Sequence, residues 1–195
     1  GIVSNTTISD LISILKNFKQ VLSSYNVVKY KTVATSSIRD SANSEALTER
    51  IFNETSIDVE ILQPIVEIEI LYDGVKKKIQ DKVLLNKSNI CMFFISAGSS
   101  AIVYQSAGHI IFTETFNIGT LRLFKILELP EKSVNFYLEN IIRKYINSLL
   151  RYIDLKKIDE FIVVNDDLIN FLKKSNEKEK TSGVYNISRK NFLEW

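Results

Sequence analysis

The chain has 195 residues, 45% hydrophobic and 25% charged, with a formal net charge of +2. That balance fills one large domain or two small lobes and excludes a disordered chain. The charge is too small to indicate a nucleic-acid partner, and no apolar run nears the roughly 20 residues of a membrane span.

In chain order, residues 8–24 place Leu11, Leu15, Phe18, Val21 and Leu22 at helical spacing, with Ser9 or Thr7 as the N-cap. Residues 27–34 form a short β-rich run. Residues 42–54 read as a helix entered through Asn43 or Ser44, and 57–62 alternate as a strand. Pro64 suits the first turn of a helix running toward Tyr72 and Gly74. Helices alternating with strands indicate an α/β lobe with a parallel element.

Past the polar stretch 76–88, the apolar runs 90–95, 101–105 and 110–116 read as a three-stranded β-meander. Ala97, Gly98 and Ser99 mark its first turn and Gly108 its second. Cys91, the single cysteine, excludes an internal disulfide and reads as a packing residue in a reducing compartment. A helix is expected over 131–152, a strand over 159–164, a helix over 167–174 and a charged loop over 175–182. A last element starts at 187, with Ser188 as its cap. Gly1 reads as a cloning scar, and nothing at the start reads as a leader, so a cytoplasmic location is expected. His109 has no cysteine or histidine partner in the pattern, which argues against zinc. The lysines at 76–78 and 173–180 read as solvated surface or as a field steering a polyanion.

Four segments carry a family resemblance. Ala34-Thr35-Ser36-Ser37-Ile38-Arg39-Asp40-Ser41-Ala42-Asn43 matches a motif A-T-S-A-x-R-x-A-x-N. Residues 65–75, with Glu67, Tyr72, Gly74 and Val75, match a glutamate run ahead of A-R-L-x-Y-x-G-V. Phe94-Ile95-Ser96-Ala97-Gly98-Ser99-Ser100-Ala101 stands in place of D-I-G-G-G-S-T-E. Asn117-Ile118-Gly119-Thr120-Leu121-Arg122-Leu123 follows L-G-A-V-R-L. Together they resemble the exopolyphosphatase/guanosine pentaphosphate phosphohydrolase family, Ppx/GppA.

The resemblance implies an α/β, actin-like ATPase (ribonuclease H-like) fold. Residues 1–78 would be the remainder of a first lobe, and 79–195 a second lobe with the β-meander and flanking helices. The family's opening loop D-x-G-S-N-S has no counterpart here, and the second lobe would stop short of the family's later helices. Arg39 would inherit phosphate binding, which a planar guanidinium suits; read alone it is a surface arginine at a strand end. Glu67 would inherit the orientation or deprotonation of an attacking water; read alone it is a solvated helix face. Gly98, Ser99 and Gly119 would offer backbone to phosphate. Arg122 would meet phosphate or pair with a structural carboxylate.

Mg2+ is the implied cofactor, yet Phe94 replaces its aspartate and offers no hard oxygen ligand. Ser96 and Ala97 replace two glycines, and Ala101 replaces an acid. The family's last loop, G-x-G-G-T, would fall at 163–167, where Asp166 and Asp167 read as a helix cap and first-turn acid. Three readings follow. One is a pseudo-phosphatase for polyphosphate or a phosphorylated guanosine nucleotide. The second is an active exopolyphosphatase completed by the full-length chain, and the third a non-catalytic interaction module. Uncovered sheet edges leave room for a homo-oligomer.

Overall fold

The computed structural model describes residues 1–79, 85–86, 88–128, 131–165, 168, 172, 179–181 and 184–185. The chain divides into two compact units, Gly1–Lys82 and Val83–Trp195, against an expected boundary between residues 78 and 79.

In the first unit, helix α1 (Asn5–Ser24) begins three residues before the expected start. Ser4, rather than Ser9 or Thr7, caps it by accepting the Thr7 N–H at 3.1 Å. The helix buries Ile8 and Ile12, whereas Phe18 and Val21 are 60% and 51% exposed. At 100° per residue Val21 turns away from Ile8 and Ile12 and Phe18 lies at the flank of their stripe, so the expected apolar stripe was drawn too wide. Strand β1 (Thr32–Ala34) is the paired end of the longer run expected over 27–34. It lies parallel to β2 (Val59–Ile61), with Ala34 opposite Ile61. Parallel neighbours need a crossover, supplied by α2 (Ser36–Arg39) and α3 (Ser44–Thr55).

Leu47 and Ile51 of α3 join Ile8, Ile12 and Ile57 in one core cluster. Asn43 stands at the N-cap of α3, yet its amide binds elsewhere: it accepts from Val3 N–H and donates to Val3 O, both at 2.9 Å. This clamp fixes the chain entry into α1. Ser56, at φ 55°, ends α3 in the left-handed conformation. Pro64 opens α4 (Pro64–Lys78), which runs through Gly74 and ends in Lys76, Lys77 and Lys78, charges suited to a helix C-terminus.

In the second unit, β3 (Ile90–Ile95), β4 (Ser100–Ser106), β5 (His109–Phe116) and β6 (Glu160–Val164) form a sheet of order β5-β4-β3-β6. The meander is antiparallel, and β6 adds parallel to β3 after α5 (Thr120–Leu127) and α6 (Glu131–Leu149). Ala107 and Gly108, at φ 49° and 81°, close the β4–β5 hairpin as a two-residue turn with the primed twist. One sheet face packs Cys91, Ile102, Tyr104 and Phe116 against Tyr145 and Leu149 of α6. The other carries Ile90, Met92, Phe94 and Val103, each at most 2% exposed. Burial on both faces explains the unbroken apolar reading of β3.

Part of the charged loop expected over 175–182 is strand: β7 (Glu179–Thr181) pairs antiparallel with β8 (Val184–Tyr185). Cross-strand pairing satisfies backbone groups whatever the local charge, which a reading of charge alone misses. Of the helix expected over 167–174, Leu168 and Leu172 are described and helical, and the element from 187 lies outside the described residues. Among the described residues, no helix is long and apolar enough to cross a membrane.

Cys91 is 4% exposed, and burial pushes its thiol from 9.0 up to about 11. The folded chain therefore holds this proton more tightly than the unfolded one. The contribution to stability is complete below the unfolded value and is lost as pH rises toward the folded one. We expect a thiol reagent at about pH 8 to spare the folded chain and to modify Cys91 once denaturant is added. Rapid labelling of the folded protein would contradict this placement.

Candidate functional site

Two groups of the expected residues assemble, one in each unit. In the first, β1 delivers the chain into the single turn of α2, and Arg39 sits at that turn's last position. Its Nη1 donates to the Leu62 carbonyl at 2.8 Å and to Glu67 Oε2 at 3.0 Å. Its Nε faces Asp40 Oδ1 at 3.7 Å. The Arg39 and Glu67 side chains are 14% and 16% exposed. Glu67 reaches this position from the first turn of α4, where a carboxylate also meets the positive end of the helix dipole. Arg39 and Glu67, far apart in sequence, are therefore hydrogen-bonded partners, and Glu69 is exposed. Arg39 does hold the carbonyl that follows β2, as a strand-end arginine would, but neither it nor Glu67 is the solvated surface side chain of the bare-sequence alternatives. Asp40 and the Leu62 carbonyl complete the cluster; neither was singled out from the sequence, although Asp40 is adjacent to Arg39.

In the second unit, Gly98 and Ser99 lie in the β3–β4 turn, closed by Ser96 N–H donating to Ser99 O at 2.9 Å. Gly119 precedes α5, and the turn presses directly on it. A Cβ at Gly119 would overlap the Ala97 carbonyl and the Gly98 backbone. The first amides of α5 bind the turn: Thr120 N–H donates to Ser96 O and Leu121 N–H to Ala97 O, both at 3.0 Å. Two N–H groups that a helix start ordinarily offers to an anion are thus engaged by protein carbonyls. Ser100 Oγ donates to the Ile118 carbonyl, tightening the same junction. Arg122 follows, part-buried on α5, and has an interaction partner of its own.

Phe94 is 2% exposed, paired with Ala101 on β4 and Val164 on β6. At the end of β6, Asn165 Nδ2 donates to Ile95 O at 3.0 Å while its Oδ1 accepts the Leu168 N–H at 2.7 Å. Asn165 thus bonds the amide three residues on, and the cap and first-turn acid expected at Asp166 and Asp167 lie outside the described residues. Asparagine at a strand end, ahead of a helix, was the available signal.

With this geometry in place, comparison with known proteins gives a direct result. The model of the Ppx/GppA phosphatase family matches residues 1–157. The chain belongs to the Ppx/GppA phosphatase family. A curated relative, the bifunctional 3-dehydroquinate synthase/phosphatase of Fusobacterium nucleatum subsp. nucleatum, is 26% identical over 159 residues, covering 80% of this chain and 23% of that protein. An exopolyphosphatase crystal structure from Cytophaga hutchinsonii superposes with a TM-score of 0.78 at 20% identity, covering 100% of this chain and 64% of that one. The Aquifex aeolicus Ppx/GppA family member gives 0.72 at 19% identity, covering 100% and 62%. At these identities the structures establish the fold, the α/β arrangement of the family. This Ppx/GppA chain spans less than two thirds of the length of each of these relatives.

Two glycines of this Ppx/GppA chain, Gly119 and Gly74, predict opposite mutational signs. Gly119→Ala is expected to cost about 1–3 kcal/mol, because the turn backbone must retreat. Gly74→Ala, within α4 with nothing within 4 Å of a new Cβ, is expected to stabilise by about 0.5–1 kcal/mol. Urea denaturation of the two variants beside the parent checks both signs.

Proposed function

We propose that this chain is a phosphatase-like module related to the hydrolysis of terminal phosphate from polyphosphate or guanosine pentaphosphate, with that hydrolysis impaired or lost. The observation carrying the reading is Phe94, a ring 2% exposed between two paired strands, where the family motif has its metal-holding aspartate. The described residues at the β3–β4 turn do not fit Mg2+, a hard cation that needs oxygen donors. Phe94 and Ala101 have no side-chain oxygen, and the Ser100 hydroxyl is committed to the Ile118 carbonyl.

Phosphate handling is retained in this reading through Arg39, whose guanidinium matches two phosphate oxygens. The Leu62 carbonyl holds it in place without neutralising it. Gly98, Ser99, Gly119 and Arg122 belong to the same reading as phosphate-facing groups, with the α5 amides already bonded to the turn.

One observation favours a second reading. Arg39 and Glu67, the phosphate binder and the water-orienting carboxylate of the family pattern, persist within 3.0 Å of each other. An active phosphatase would then take its metal ligands from residues beyond this chain.

Magnesium-dependent phosphate release from long-chain polyphosphate and guanosine pentaphosphate separates the two, with the uninterrupted full-length protein assayed beside the Cytophaga hutchinsonii enzyme. Turnover at least about a hundredfold below that enzyme is expected, since metal assistance is worth several kcal/mol. Comparable turnover that disappears in Glu67→Gln would establish the active reading instead.

A further inference from the structure

The first-unit cluster has an unfavourable charge balance for an anion site: one guanidinium is flanked by two carboxylates, Glu67 and Asp40. With these three groups ionised their formal sum is −1, so the guanidinium is not a bare cation awaiting an anion. The two acids are not equivalent. Glu67 holds a direct hydrogen bond from Nη1 at 3.0 Å, whereas Asp40 stands at 3.7 Å from Nε. Nη1 has two hydrogens, and both are engaged, one by Glu67 and one by the Leu62 carbonyl. A phosphate that grips the guanidinium through Nη1 competes with Glu67 for that nitrogen.

We propose that Glu67 is a gate on Arg39, an internal carboxylate that occupies the phosphate-binding edge until a more highly charged phosphate displaces it. This inference rests on the phosphate role given to Arg39 above and adds to it the regulation of that site. Two features make the exchange feasible. The Leu62 carbonyl keeps Arg39 in position at 2.8 Å after Glu67 leaves, so the guanidinium remains preorganised. Glu67, once released, stays in the first turn of α4, where the helix dipole favours negative charge. The displacement therefore strands no charge in an apolar interior. A competing carboxylate also sets selectivity. A singly or doubly charged phosphate gains little over Glu67, while a polyphosphate chain gains from every further charge near the guanidinium.

The experiment is isothermal titration of tripolyphosphate, in metal-free buffer with chelator, into the full chain and into its variants. Circular dichroism on each protein confirms folding, and Glu67→Ala serves as a second gate variant if Glu67→Gln folds poorly. Glu67→Gln is expected to bind about tenfold more tightly than the parent, with Asp40→Asn close to the parent and Arg39→Gln losing binding. Unchanged or weaker binding by both Glu67 variants, with Arg39→Gln still losing it, overturns the gate and leaves Arg39 as the phosphate ligand. An Asp40→Asn gain as large as that of Glu67→Gln also overturns it, because a general charge effect then explains the result. Binding by Arg39→Gln equal to the parent, or no binding by any of the proteins, overturns the phosphate role of Arg39 and the gate with it.

Discussion

Strand β3 lies between an antiparallel neighbour and a parallel one, with apolar side chains buried on both faces. The geometry of the second unit follows from that double burial. It fixes β4 and β6 in register, so the β3–β4 turn and the end of β6 meet at one edge of the sheet. Asn165 ties that edge together through the Ile95 carbonyl, and α5 docks its first amides on the turn. An ionised carboxylate at position 94 would need a cation or a hydrogen-bond network beside it to offset the loss of water. Phenylalanine there is consistent with a strand end given over to packing.

The first unit follows a different logic. Its polar cluster is assembled from the residue that follows β2, the single turn of α2 and the start of α4, and the Arg39 guanidinium joins them. Hydrogen bonds to ionised groups are stronger than neutral ones, and a carbonyl plus a carboxylate on one guanidinium nitrogen gives a stiff junction. The same bonds that make the junction rigid compete with any anion seeking the guanidinium. Structural and ligand-binding roles are therefore coupled at Arg39, and a change at Glu67 acts on both.

The alternation of helices and strands, the meander with its glycine-bearing turn and the A-T-S-x-x-R segment were all legible without coordinates. Each rests on local periodicity or on a contiguous motif. The width of the α1 stripe was not legible, since Phe18 and Val21 match helical spacing yet are exposed. Helix periodicity gives an angle but not the span of the partner that covers it. The cap on α1 was misplaced for a related reason: several hydroxyls competed in one short segment, and only Ser4 preceded the first helical turn. Asn43 shows the converse, a residue of the right type at the right position whose amide is claimed by the chain entry at Val3.

By itself the sequence determined the α/β class, the family and the identity of the residues at the motif positions, Phe94 included, because these reside in contiguous patterns. Only the tertiary structure decided that Arg39 and Glu67 neutralise each other, that the Leu62 carbonyl holds the guanidinium, and that Gly119 yields its space to the turn backbone. Such facts depend on distances between segments separated by many residues, or on backbone approaching backbone. No one-dimensional spacing encodes those quantities. They follow once the strands are in register and the helices have been packed against them.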